Sequence, residues 1–206
     1  MLNQMLRNRR LRRIKPNILY PLRGYRREEL SFFSFFCFVC LWCENVKIKR
    51  MGKYNIDLQA RVARARELFT SGYNCSQSVF LAYSDLFEVE PRLAATISAP
   101  LGGGMGRLRE VCGAVSGMTL LAGLLSPAHD PKDQAAKAAN YALVQQFAER
   151  FREENGAIVC RELLGLSQQK DQPTPSLRTA EYYRKRPCVE YVATAARIVG
   201  EYLLAE

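Results

Sequence analysis

Apolar residues recur at helical spacing through most of the chain from Met51 onward, and this pattern constrains the fold more than any other feature. In NIDLQARVARARELFTSGYN the apolar side chains fall on one helix face, with Asp57 suited to cap the start and Gly72 the end. No segment alternates apolar and polar residues as a half-buried strand would. The sequence therefore predicts an all-α fold, a compact multi-helix bundle.

Further helices are predicted from the same periodicity and from their end signals. EPRLAATISAPL is a short helix between Pro91 and Pro100, and DPKDQAAKAANYALVQQFAERFREENG is an amphipathic helix with Asp130 as its cap and Gly156 after its end. CVEYVATAARIVGEYLLAE is the closing helix. Between these last two, the polar and proline-punctuated segment SQQKDQPTPSLRTAEYYRKRP predicts mostly loop.

The formal charge of +10 is concentrated in the first fifty residues. Residues 1–50 carry a net charge of +9, whereas residues 51–206 carry +1. A near-neutral body gives no electrostatic footprint for DNA or RNA, so we expect no nucleic-acid partner. We expect a partner whose identity the sequence does not name, a cytoplasmic location and no integral membrane span in the body.

Residues 1–50 differ from the body in composition, with an arginine-rich start and the apolar run SFFSFFCFVCLW. That run is shorter than the ~20 residues that span a bilayer, and no small-residue cleavage site follows it. Cys37, Cys40 and Cys43 resemble part of a ferredoxin ligand run, but Lys47 stands where a fourth ligand is expected. We interpret these residues as an upstream extension, disordered or wrongly assigned to the chain, with Met51 as the true start. A weak membrane-associating leader is the alternative.

The body holds four cysteines, and the pattern places each of them at or near the start of a helix. They are Cys75, Cys112, Cys160 and Cys188. Separations of 37, 48 and 28 residues leave no C-x-x-C pair, which excludes a zinc ribbon and a thioredoxin-type motif. A helix N-terminus favours a thiolate, the form that attacks disulfides and binds metals. We therefore take all four as catalytic and metal-ligating candidates, with small core residues as the alternative.

Cys112 is the strongest of these candidates because three features converge on it. A glycine-rich loop precedes it, Arg107 and Arg109 flank it, and it lies in the first turn of the predicted apolar central helix. Each feature predicts a thiolate at Cys112. The basic, aromatic stretch EYYRKRPC, with residues 184–186, has two equal interpretations: it meets an acidic partner, or it raises the thiolate character of Cys188. A solvated loop is the favoured interpretation of its outer residues.

The segment LGGGMGRLREVCGAVSGM supplies the glycines of the predicted site. No G-K-[ST] sequence follows the loop and no strand precedes it, which excludes a P-loop and a Rossmann fingerprint. We expect the loop to shape the approach to Cys112 and the two helical glycines to admit a neighbouring backbone or a flat cofactor. Tight helix packing without a ligand is the alternative. The candidate cofactor-binding residues are Gly102, Gly103, Gly104, Gly106, Gly113 and Gly117.

The segments GYNCSQSVF and GGGMGRLREVCGAVSGM, followed by single cysteines before RELLG and VEYVA, resemble the C_GCAxxG_C_C family. The C-G-A-x-x-G motif runs from Cys112 to Gly117 here. The resemblance covers about Tyr54 to Glu206 and leaves residues 1–50 uncovered. It implies a redox role that is carried by the four cysteines.

Three functions remain open at this point. The first is an iron–sulfur cluster that is held by the four cysteines and transfers electrons. The second is a metal-free protein whose thiols form and exchange disulfides, and the third is a helical protein with a structural zinc ion. Thiolates suit iron–sulfur clusters and zinc equally. The only histidine, His129, lies in a predicted turn and offers no base for a Ser-His-Asp arrangement.

Overall fold

The computed structural model describes residues 54–167 and 170–206, and within them the predicted all-α fold is confirmed. The α-helices are α1 (Leu58–Thr70), α2 (Cys75–Leu81), α3 (Pro91–Ser98), α4 (Gly102–Met105), α5 (Gly113–Leu125), α6 (Gln134–Asn155), α7 (Cys160–Leu163), α8 (Ala180–Lys185) and α9 (Cys188–Ala205). Short 3₁₀ helices cover Ser84–Phe87 and Ala99–Leu101. The described residues form no sheet, and Val111 and Val159 make an isolated antiparallel bridge.

The helices begin and end where local hydrogen bonds satisfy their free backbone groups. The Asp57 carboxylate accepts from the Ala60 N–H at 3.0 Å, as predicted for the cap of α1. Gly156 ends α6 in the left-handed region, with φ +84°, which is also as predicted. The predicted cap of α6 was wrong. Asp133 accepts from the Ala136 N–H at the helix start, whereas Asp130 accepts from the Lys132 N–H in the turn before it.

Two other boundaries differ from the prediction. The central helix α5 begins at Gly113, so Cys112 is its N-cap residue rather than part of its first turn. Arg107 and Arg109 have positive φ, a backbone conformation that cannot continue a helix. The proline-punctuated segment before α9 is loop from Lys170 to Thr179, and the Thr179 hydroxyl then accepts from a backbone N–H and starts α8.

The core lies where α5 and α9 meet the first two helices. α1 packs along α9, α2 packs along α5, and α6 covers the other side of α5. Tyr83 is fully buried and its hydroxyl donates to the Ala196 carbonyl at 2.8 Å. A Cβ at Gly200 would lie 2.6 Å from the Tyr83 hydroxyl, so glycine allows α9 to approach this close. The packing brings the starts of α2 and α9 together.

Within the described part of the chain, no helix combines the length and the apolar character needed to cross a membrane. The predicted extension, residues 1–50 with Cys37, Cys40 and Cys43, lies outside the described residues.

Candidate functional site

The four body cysteines, which are far apart in sequence, line one cavity of about 270 Å³. All four are free thiols. Cys112, Cys160 and Cys188 are buried, while Cys75 is half-buried. The cavity wall also includes exposed residues such as Pro173, so the cavity reaches the protein surface.

Cys112 and Cys160 are held beside each other by backbone hydrogen bonds around the isolated bridge. The Cys112 N–H donates to the Ile158 carbonyl at 2.8 Å, and the Cys160 N–H donates to the Glu110 carbonyl at 2.6 Å. Burial raises the pKa of the Cys160 thiol, although Arg109 opposes it by donating to the Cys160 sulfur at 3.7 Å. These two thiols therefore lie on a rigid wall in a poorly solvated position.

Cys75 and Cys188 are the first residues of α2 and α9. The Cys75 thiol is a close neighbour of Cys188, and hydrogen bonding between the two thiols is the largest cause of the pKa shift of each. This hydrogen bond lowers the pKa of Cys188 below the usual range of a thiol, against the opposing effect of burial, and Arg186 and Arg178 lower it further. The same hydrogen bond and burial raise the pKa of Cys75. The structure thus places a readily ionised thiol, Cys188, beside a second thiol, Cys75, that stays protonated.

The predicted thiolate at Cys112 was wrong, because burial raises the pKa of that thiol to about 12. The N–H groups of Ala114 and Val115, at the start of α5, do favour the thiolate, as a helix N-terminus should. Their effect is smaller than that of desolvation. The two arginines expected to help do not act on Cys112, since Arg109 contacts Cys160 and the Arg107 guanidinium donates to the Gln172 carbonyl at 2.6 Å.

The expectation for Cys188 is confirmed for one of the three basic residues that precede it. Arg186 lowers the pKa of Cys188 and lines the cavity, whereas Arg184 and Lys185 are exposed at the end of α8 and do not line it. A contribution that sequence reasoning missed comes from Arg178, which is ten residues away in the chain. Its position in a basic, aromatic stretch before Cys188 was the available signal.

The six candidate glycines divide into two groups. Gly102, Gly103, Gly106 and Gly113 line the cavity, but Gly104 and Gly117 do not. A Cβ at Gly104 would lie 2.7 Å from the Cys160 Cβ, and one at Gly117 would lie 2.8 Å from the Val79 Cβ. These two glycines therefore allow close packing, of the loop against Cys160 and of α5 against α2. The small helix face at Gly117 is filled by a neighbouring helix.

The segment between α7 and α9 supplies the other residues that sequence reasoning missed. Asp171 accepts hydrogen bonds from Arg107, at 3.1 Å, and from Arg109, at 2.9 Å from its Nε. Pro175 and Tyr182 contribute to the cavity wall. The proline-rich composition predicted a loop but carried no sign that this loop covers the cysteines.

Metal ligation places a stricter demand on the four thiols than lining a cavity does. Within residues 54–167 and 170–206, no three histidine, cysteine, aspartate or glutamate side chains are placed to hold a metal ion. A zinc ion needs ligands at about 2.0–2.3 Å in a tetrahedron, and the described side chains do not offer that arrangement. His129 is exposed in the turn before α6, consistent with a loop residue rather than a base.

A family model described as "Putative redox-active protein (C_GCAxxG_C_C)" matches residues 73–202. The matched region begins just before Cys75, extends into α9 and includes all four cysteines of the cavity. No curated protein and no solved structure matches the chain.

Proposed function

Because the chain belongs to the C_GCAxxG_C_C family, we propose that it is a redox protein in which Cys188 and Cys75 exchange with a substrate disulfide. The placement of these two thiols as neighbours on the wall of one open cavity carries the proposal. A thiolate is the attacking form in thiol–disulfide exchange, and a second thiol beside it is needed to complete the reaction within the protein.

The reaction would run in two exchanges. The Cys188 thiolate attacks one sulfur of a substrate disulfide, the substrate S–S bond breaks, and one substrate thiolate leaves. Cys75 then loses its proton and attacks the Cys188 sulfur, which forms a Cys75–Cys188 disulfide and releases the second substrate thiolate. The substrate disulfide gains two electrons and the protein pair loses them. The proton from Cys75 goes to one released substrate thiolate, and the other keeps the negative charge that Cys188 carried.

The surroundings support separate roles for the two cysteines. Cations near Cys188 stabilise its thiolate, and the hydrogen bond from Cys75 does the same in the resting dithiol. Once Cys188 is bound in a mixed disulfide, it no longer carries a charge. The pKa of Cys75 then falls, because the hydrogen bond to Cys188 and its charge contribute to the present elevation. The resolving thiol is thereby activated at the step in which it is needed.

An iron–sulfur cluster is the second candidate, and it is favoured by the placement of all four thiols around the cavity. Cluster ligands surround a group larger than a single ion, so they are spaced more widely than zinc ligands. Cys75, Cys112, Cys160 and Cys188 would hold the cluster, and their soft thiolates suit it. The cluster would supply one-electron transfer. The direct contact between Cys75 and Cys188 would have to open, which is why we place this candidate second.

One preparation separates these candidates. The full chain is purified without oxygen and assayed for iron, labile sulfide, zinc, visible absorption and thiol content. A metal-free protein that loses two thiols on oxidation, with a peptide map joining Cys75 to Cys188, supports the dithiol. Stoichiometric iron and sulfide with visible absorption would replace it by the cluster, and stoichiometric zinc would contradict both.

Trapping tests the assigned roles. In the Cys75→Ser variant, a disulfide substrate should leave a stable mixed disulfide on Cys188, detected as a mass increase of one substrate thiol. Cys160→Ser is the matched control, because it removes a thiol from the same cavity but leaves the reacting pair intact. A mixed disulfide on Cys112 instead would overturn the assignment.

A further inference from the structure

The cavity around the cysteines is lined by positive charge without any carboxylate. Arg107, Arg109, Arg178 and Arg186 all contribute to its wall, and no aspartate or glutamate does among the described residues. Asp171 bonds to the first two arginines from outside the lining. The single carboxylate of Asp171 therefore pairs with the guanidinium groups of both Arg107 and Arg109.

Arg178 and Arg186 have no carboxylate partner within residues 54–167 and 170–206. They are held by aromatic rings instead. The Arg178 guanidinium lies over the Phe69 and Tyr182 rings at 4.7 Å from each centroid, and the Arg186 guanidinium lies 5.1 Å from the Tyr182 centroid. Ring stacking fixes a guanidinium by its flat face and leaves the N–H groups at its edge available.

One of those edge groups is buried and unused. The Nη2 of Arg178 donates to the Tyr73 carbonyl at 3.3 Å, but its Nη1 is buried without a hydrogen-bond partner. A buried charged donor that lacks a partner is costly, and such groups are normally satisfied. Because Arg178 lines the cavity, a shift of its side chain toward an anion bound there would remove this cost.

We propose that the cavity selects anionic disulfides, in which a carboxylate close to the sulfurs binds Arg178 and Arg186 while a sulfur faces Cys188. The inference rests on the proposed function, since it names the substrate class of the same site. Two observations carry it: Arg178 lines the cavity and keeps one guanidinium nitrogen without a hydrogen-bond partner, and no carboxylate among the described residues lines the cavity, where it would repel an anion. A planar fork of N–H donors suits a carboxylate in particular.

Two aromatic disulfides test the selectivity, because they release chromophoric thiols but differ in charge. Dithiobis(nitrobenzoate) carries a carboxylate on each ring, and dithiodipyridine is neutral. The rate constant of each probe is measured on the reduced full chain, and the part that disappears in Cys188→Ser is assigned to Cys188. The ratio of the two rate constants is the readout, since any change in the reactivity of Cys188 itself affects both probes.

We expect the anionic-to-neutral ratio to fall about tenfold in Arg178→Gln and in Arg186→Gln, the order expected when a charge-assisted hydrogen bond is lost. Arg184→Gln is the matched control, because Arg184 belongs to α8 but is exposed and away from the cavity. Arg178→Lys, which keeps the charge but not the fork, should give an intermediate ratio. Helical circular dichroism on each variant verifies folding, and Arg186→Gln tests the inference independently if Arg178→Gln does not fold.

The outcomes of this experiment distinguish a failure of the anionic selectivity from a failure of the dithiol function. If both probes react at Cys188 but the ratio is the same in Arg186→Gln as in Arg184→Gln, the anionic selectivity is wrong and the dithiol function stands. If neither probe reacts at Cys188 in the folded protein, the dithiol function fails and the selectivity fails with it.

Discussion

The Cys75–Cys188 pair and the Cys112–Cys160 pair lie on one cavity wall, and all four thiols are at or beside helix starts. The two pairs nevertheless differ in how readily they ionise, because only the first contains a thiol with a lowered pKa. Cys75 and Cys188 begin helices, and Cys160 begins one as well, while Cys112 immediately precedes another. Only Cys188 has a pKa that is lowered, and burial raises the pKa of Cys112 to about 12. Position at a helix start is therefore a small effect. Desolvation and the cations that the fold brings near each sulfur decide which thiol ionises.

The largest expected effect separates the two pairs by mutation. Cys188→Ser should lower the rate of reaction of the native protein with a disulfide about tenfold or more, because it removes the cavity thiol whose pKa is lowered and leaves three whose pKa values are raised. Cys112→Ser should change the rate only a few-fold. Stopped-flow release of a chromophoric thiol measures both. Equal losses in the two variants would show that the pairs are not functionally distinct.

The pH dependence of alkylation sharpens the same comparison. A lowered pKa keeps Cys188 ionised at pH values where an ordinary thiol, with a pKa of about 8.5, is protonated. Its alkylation rate should therefore fall to half of its plateau near pH 7, where its lowered pKa lies, whereas an ordinary thiol reaches half of its plateau at about pH 8.5. Cys112, with its pKa raised to about 12, should remain unlabelled up to the alkaline limit of the folded state. Peptide mass spectrometry after timed iodoacetamide labelling gives both profiles, and coincident profiles would contradict the assigned directions.

A glycine substitution tests the rigid wall at Cys160. In Gly104→Ala, the new Cβ would lie 2.7 Å from the Cys160 Cβ and the backbone would keep a φ of +70°. We expect a loss of about 2 kcal/mol in the free energy of unfolding, measured by urea denaturation. Gly123→Ala is the control, since nothing lies within 4 Å of its added Cβ in α5. It should stabilise the protein by about 0.5–1 kcal/mol. If Gly104→Ala has the same free energy of unfolding as Gly123→Ala, the loop does not support Cys160.

The smallest effect concerns the carboxylate behind the cavity. Asp171→Asn weakens the hydrogen bonds from Arg107 and Arg109, and we expect it to cost about 1 kcal/mol of stability, because these groups are partly solvated. The freed charge of Arg109 should lower the pKa of Cys160 and speed its alkylation. Glu181→Gln, which breaks an exposed pair with Lys185, should change neither stability nor labelling appreciably. If the alkylation rate of Cys160 is unchanged in Asp171→Asn, Arg109 does not influence the pKa of that thiol.

Local signals in the sequence predicted most of the helices and the placement of the cysteines at helix starts. Asp57 and Gly156 mark helix ends because capping involves hydrogen bonds and backbone angles within a single helical turn. The cap of α6 was misplaced by three residues, since Asp130 and Asp133 both bond to backbone N–H groups and only the register of the helix distinguishes them. The placement of the cysteines at helix starts was predictable for the same local reason.

By itself, the sequence determined that the chain is helical, that four cysteines stand at or beside helix starts, and that a basic residue adjoins Cys188. Only the tertiary structure decided which thiols face each other, that Arg109 acts on Cys160 instead of Cys112, and that Arg178 reaches the cavity. The physical reason is the range of the forces. Helix capping acts between residues a few positions apart, whereas desolvation and Coulomb interactions depend on distances in space that the packing of α2, α5 and α9 sets.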